Sequence, residues 1–457
     1  MPIDVASVRH DAAVLHRFVD SVCALAEERS PSVYVPASDE FFTYIRELGR
    51  QTKAYLEDFA KNLPADDFLK LIYRQKLTAL HDGWAELHQF VKPATDADTL
   101  NTPFSLLLAY YRKIHKITGF ENARFTVFHI DEVNYLQVRA SWFRQLATKL
   151  GSQIPNPPIF PQDLGLIGIP YSQSSAVFLN ALVPHEMGHF VFQHLDKSTA
   201  LTPEINTCLD AVFTPSLTFN DRRWCIDKLA SWAEEIFCDL FAIWMTGPAY
   251  TFAYIETFDL AKISALAASA GAPREDLDFA RRHPADSCRL AQHIKFLKRL
   301  GWWSHLAGFK THYLEALTYV QTIPETEFRF TSDNPKLAQG TIQAFFRLLP
   351  IIETVLESIV PVSEADAEDY SKYGSAIESY LHAGVVPSTV LHNGSFEYPQ
   401  PVSVMNVAYR IHLESLDIVL SQLGLDPTSI SARSKWTKRL ELWTAKAFED
   451  YSILVPE

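Results

Sequence analysis

Apolar side chains recur every three or four residues through most of the chain, the spacing that lines one face of an α-helix. Over 12–26 the stripe is carried by Val14, Leu15, Phe18, Val19 and Val22. A second helix is predicted over 38–62, stopped by Pro64, and a third over 66–91, stopped by Pro93. Thr102-Pro103 supplies an N-cap and first-turn pair for a fourth, reaching Ile117. The pattern changes near Glu121. Residues 125–130 are rich in β-branched and aromatic side chains and predict a strand, and 165–170 read as a second short strand closed by Pro170, with a helix over 139–150 and a proline-rich loop over 155–161 between them. The second strand is either an ordinary buried strand or an edge on which an extended peptide can dock.

A long helix is expected over 174–193, with Pro184 either kinking it or opening a new helix. Residues 195–219 read as a loop holding a short helix at 204–212. A helix capped by Asn220 or Asp221 should run to Met245, before Gly247-Pro248. Helical periodicity returns over 249–270, 285–300, 305–321, 333–359, 366–382, 403–423 and 433–449. The fold class is therefore mainly α with a small β-sheet (α+β). The expected division is a helical lobe over 1–122, a core over 123–300 and a second helical lobe over 301–457.

Composition narrows the function classes. At 457 residues the chain exceeds the size at which a single core stops growing. A formal net charge of −13 with no basic patch argues against nucleic acid and anionic lipid as partners. Cys23, Cys208, Cys225, Cys238 and Cys288 are scattered and form no disulfide framework. The first residues lack a secretory pattern, and the apolar stretch 348–362 is short and broken by Glu353 and Glu357. A cytoplasmic protein without membrane insertion is expected.

Chemistry concentrates at His185-Glu186-Met187-Gly188-His189. On a helix, positions i and i+4 share a face, so both imidazoles can reach one point, with Glu186 beside them. This is how hydrolytic zinc enzymes place two metal ligands and a general base on one turn. The flanking Leu182, Val183, Phe190, Val191 and Phe192 are apolar, and polar groups buried among them need partners. Glu235 and Asp239 form a second i, i+4 pair on another apolar helix. Glu235 is the expected third ligand, with Glu234 as its rival. Asp239 is expected to accept a hydrogen bond from the other ring nitrogen of His185. Gly188, costly inside a helix, is either a tolerated defect or a point of close approach of another backbone. Phe192 and Leu195 stand where a metzincin site needs glycine and histidine, and His194 points about 100° away.

The sequence His185-Glu186-x-x-His189 followed by Glu235-x-x-x-Asp239 resembles the gluzincin group of zinc metallopeptidases. His283-Pro284-x-x-x-x-Arg289 is similar to a signature of the heat-shock and CAAX-processing zinc peptidases, whose transmembrane helices this chain lacks. The resemblance covers 165–290 and implies a zincin-like core that hydrolyses peptide bonds in a peptide or protein substrate. It also implies zinc on His185, His189 and Glu235, with Glu186 as general base. His283 would then support an oxyanion, although by its place before Pro284 it equally suits a helix cap, and Arg289 would bind substrate or brace the site. Tyr171 is a further candidate for contact with the substrate oxyanion. The same residues also suit a hydrolase of non-peptide amides or esters, or a scaffold that has kept the site without its catalysis.

Overall fold

A computed structural model describes residues 5–28, 36–64, 66–94, 106–107, 109–130, 136–138, 146, 149–150, 152–161, 163–170, 176–213, 217–257, 276–278, 283–284, 286–309, 329–331 and 334–455. The chain packs as two compact units, one comprising Met1–Leu107 with Phe120–Ser175, the other Leu108–Gly119 with Ala176–Glu457.

In the first unit, helices α1 (Val5–Glu28), α2 (Pro36–Lys61) and α3 (Asp67–Ala94) bury one stripe each. Val8, Leu15, Val19 and Val22 meet Phe41, Ile45 and Leu48 of α2 and Leu80, Trp84 and Leu87 of α3 in one core. Strand β1 (Arg124–Ile130) pairs in parallel with β3 (Leu164–Pro170), and β2 (Leu136–Val138) pairs antiparallel on its other side. All seven residues of β3 are buried. Being the middle strand of its sheet, β3 is the ordinary buried strand and not the peptide-docking edge. Most of the helix expected over 139–150 lies outside the described residues.

The second unit is helical. A 3-10 turn (Leu179–Leu182) leads into α4 (Val183–His194), followed by α5 (Lys197–Asp210), α6 (Phe219–Thr246) and α7 (Pro248–Thr257). Pro184 therefore opens a helix, its missing N–H falling in the first turn where no intrahelical partner exists. Helix α5 occupies much of the stretch expected as loop; its Ser, Thr and internal Pro203 weaken the pattern that would have announced it. Thr218 caps α6 by accepting from Asp221 N. Gly247 ends α6 with a positive φ of 63°, which a side chain would strain. Asn406 then spans the break, donating to Thr246 O at 2.9 Å and accepting from Ala249 N at 2.8 Å.

Beyond α7 come β4 (Asp276–Asp278), α8 (Asp286–Arg299), a 3-10 helix (Trp302–Gly308), β5 (Arg329–Thr331), α9 (Pro335–Glu357) and α10 (Ala365–His382). A hairpin, β6 (Val390–His392) and β7 (Ser395–Glu397), precedes α11 (Pro401–Arg410), a π-turn (Ile411–Ser415), α12 (Leu416–Gln422) and α13 (Ile430–Leu454). The protein is mainly α with small β-sheets. Among the described residues, no helix is long and apolar enough to cross a membrane.

Candidate metal centre

The site lies where α4 meets α6. Every residue from Glu235 to Thr246 of α6 is buried, as are Met187, Phe190, Val191 and Phe192 of α4. The Phe192 and Phe237 rings lie 5.1 Å apart. The two backbones touch at Gly188, where an added Cβ would come within 2.9 Å of Cys238 Cα. The glycine is thus a packing requirement, and its absent side chain lets the carboxylates of α6 approach the imidazoles of α4.

His185 and His189 stand one turn apart, ring centroids 4.9 Å from each other. Glu235 reaches both rings: its Oε2 is 3.4 Å from His185 Nε2 and its Oε1 3.8 Å from His189 Nε2. One ligand atom from each of the three residues falls within 4.8 Å of the other two. Glu235 Oε2 is buried and makes no hydrogen bond. A carboxylate oxygen left so is costly, by about 1–3 kcal/mol or more for a charged group. Two imidazoles and a carboxylate converging on one point, one oxygen lacking a donor, are a group that could hold a metal ion.

The far side of each ring is held as well. His185 Nδ1 is 3.0 Å from Asp239 Oδ1 and 3.1 Å from the Tyr250 hydroxyl. His189 Nδ1 is 2.9 Å from Glu234 Oε1, which also accepts from Gln193 Nε2 at 2.9 Å. A carboxylate behind each Nδ1 favours the N–H there and turns Nε2 toward the centre. Asp239 in turn accepts from Tyr250 Oη at 2.5 Å and from Arg289 Nε and Nη2 at 2.7 and 2.6 Å. The Arg289 guanidinium lies 4.8 Å over the Tyr254 ring, and Tyr254 donates to Asp286 at 2.6 Å. His293 Nε2 is 3.2 Å from Asp239 Oδ2 but off the line of a good hydrogen bond.

Burial by itself would drive His185 toward the neutral form. The carboxylates of Asp239 and Glu235 beside the ring, with the charge of Glu186, outweigh it and push the imidazolium up to about 10. His189 moves upward for the same kind of reason, burial opposed by Glu234, Glu235 and Glu186. Burial would raise Glu235, yet His185, His283, His189 and Arg289 together hold it well below the usual carboxylate range. Asp239 is likewise held low, its burial overcome chiefly by Arg289. The carboxylates thus demand positive charge at the centre, which protons or a metal cation can supply.

The structure places the sequence-derived residues as follows. His185, His189 and Glu235 converge, with buried Glu186 close enough for its charge to act on both rings. Glu234, the rival ligand, sits behind His189 instead. His283 Nε2 is 3.3 Å from Glu235 Oε1 and its side chain is 54% exposed, so it stands at the open side. Arg289 is buried on Asp239, the geometry of a brace. Tyr171 lies outside the described residues, and the His194 ring is tilted against that of Phe190, ring centroids 5.7 Å apart. Tyr250, Tyr254, His293 and Glu234's part behind His189 have no counterpart in the sequence reading. One signal for His293 is legible: Asp286, Arg289 and His293 share a helix face at i, i+3 and i+7. Comparison with protein-family models, curated proteins and solved structures finds no match to this chain.

Proposed function

We propose that the chain is a zinc-dependent hydrolase of the gluzincin type that cleaves peptide bonds. The observation carrying this reading is the buried convergence of His185, His189 and Glu235, with an acceptor oxygen left unpaired, on the helix turn that also carries Glu186. Zinc on those three residues would supply Lewis-acid chemistry, polarising a scissile carbonyl and making a water acidic near neutral pH.

The chain's own residues do the rest. Asp239 and Glu234 hold the imidazoles by Nδ1, so that both Nε2 atoms face the same point. Arg289 and Tyr250 fix Asp239 and hold it ionised. The Glu186 carboxylate takes the proton of the attacking water and returns it to the leaving amine, the general acid–base role its place beside His185 allows. His283, on the open side, donates to the developing oxyanion.

Glu186→Gln is the test. The variant should retain the parent's zinc content and melting temperature while losing cleavage of a peptide mixture by about a thousandfold. Undiminished cleavage would remove Glu186 from the mechanism. If the parent itself binds zinc but hydrolyses neither peptides nor simple esters and amides, the site is a metal-binding scaffold.

A further inference from the structure

A second concavity lies within the same unit, apart from the metal centre. It has a volume of about 550 Å³, within the range of small-molecule sites. Trp244 and Met245, from the last turn of α6, form one wall. Nine residues of helix separate Trp244 from Glu235, a distance of about 13 Å along the axis. The apolar lining includes four large aromatic side chains, Trp244, Trp302, Tyr110 and Phe448, beside aliphatic ones such as Leu300 and Val402.

The polar lining is asymmetric in charge. The stretch 109–116 contributes Arg112, Lys113 and Lys116, and α10 contributes Asp366 and Asp369. Both acids are already engaged. Lys113 Nζ is 2.5 Å from Asp366, and it also donates to the α6 carbonyls of Trp244 and Met245 at 3.1 and 3.2 Å. Asp369 accepts from Gln400 N at 3.0 Å and Ser403 Oγ at 2.6 Å. Burial also pushes the Asp369 carboxyl up. Arg112 is held by carbonyl oxygens, those of Ser452 and Val455, and among the described residues neither it nor Lys116 has a carboxylate partner. With Lys113 paired to Asp366, Arg112 and Lys116 face one remaining acid, Asp369, so the lining carries more basic than acidic groups. The Tyr110 hydroxyl is buried with no hydrogen-bond partner.

We propose that this cavity is a binding site for a mainly apolar, aromatic small molecule bearing an anionic group, its apolar part against the Trp244 and Trp302 wall and its charge toward Arg112 and Lys116. An aromatic carboxylate or sulfonate has that chemistry. The ligand would rest on the end of the helix that carries Glu234, Glu235 and Asp239, which makes the site distinct from the hydrolytic one yet joined to it by α6.

The probe is 1-anilinonaphthalene-8-sulfonate, whose fluorescence rises in a dry aromatic site, titrated into the folded full-length chain beside its uncharged parent, N-phenyl-1-naphthylamine. One saturable site per chain is expected, with the sulfonate bound about tenfold more tightly than the neutral compound. Ala365, exposed at the cavity lining, allows a blocking substitution without touching the core. Ala365→Trp should weaken sulfonate binding by about tenfold or more, and Lys116→Glu by about threefold or more, with the melting temperature unchanged. Binding that neither variant alters, or no saturable binding at all, overturns the proposal. Equal affinity for the neutral compound overturns its anionic part.

Discussion

At the scale of single residues, the orientation of the centre turns on Asp239. It touches His185 and is touched by Arg289 and Tyr250, so it relays the positions of α7 and α8 to a prospective ligand. Groups that hold metal-binding histidines typically cost ten- to a hundredfold in affinity when removed. Tyr250→Phe should therefore weaken zinc binding about tenfold in a chelator competition while leaving the melting temperature of the metal-free protein nearly unchanged. A loss of stability with no change in affinity would make Tyr250 a packing residue only. A second residue carries a pH dependence. Glu441 of α13 accepts from Phe178 N at 3.4 Å, at the 3-10 turn feeding α4. Burial pushes its carboxyl from 4.5 up to about 7, a rise that the backbone N–H groups of Phe178 and Val177 only partly offset. The folded state thus holds this proton more tightly than the unfolded chain does. The stability it gives is complete below about pH 4.5 and is lost as pH rises toward 7. Glu441→Gln keeps the acceptor oxygen without the charge. It should equal the parent at pH 4 and exceed it at pH 8 by about 1–2 kcal/mol after allowance for solvent screening, read from denaturant curves.

At the scale of elements, the site depends on two helices meeting at a glycine. Helix propensity alone makes Gly188→Ala favourable by about 1 kcal/mol, but the added methyl would press on the Cys238 backbone. The variant should be destabilised by about 1–3 kcal/mol, since a backbone cannot move aside as a flexible side chain can. Zinc affinity should fall with it; a more stable variant would show that α4 and α6 have room to spare. Why parts of the site are legible in the sequence follows from the same geometry. His185 with His189, and Glu235 with Asp239, announce themselves because one helical turn brings i and i+4 together before any tertiary contact is known. The adjacent Glu234 is indistinguishable by type from Glu235, and only the angle at which α6 faces α4 sends one carboxylate to Nε2 and the other to Nδ1. Tyr250 lies on a separate helix, beyond the turn at Gly247, and no local pattern ties it to Asp239. The long helices were readable from their apolar stripes. The β6–β7 hairpin rests on only three-residue strands, although its Asn393-Gly394 turn, with both residues at positive φ, is a legible signal.

At the scale of the whole molecule, the centre and the aromatic cavity belong to one unit, Leu108–Gly119 with Ala176–Glu457, and α6 contributes to both. A ligand bound only by the folded state stabilises it by about 2.7 kcal/mol when present at a hundred times its dissociation constant. Chelation should accordingly lower the unfolding free energy of the zinc-loaded protein by an amount that grows with free zinc, seen by calorimetry. The helical bulk around the site also explains how charged groups persist there: Arg289, the histidines and the carboxylates pair with one another inside an otherwise apolar interior, where an isolated charge would be far too costly. The most direct measurement is the metal content of the purified chain after incubation with zinc and gel filtration, by elemental analysis, beside Glu235→Ala. The account predicts close to one zinc per parent chain and almost none in the variant; no zinc on the parent, or the same amount on both, would contradict it.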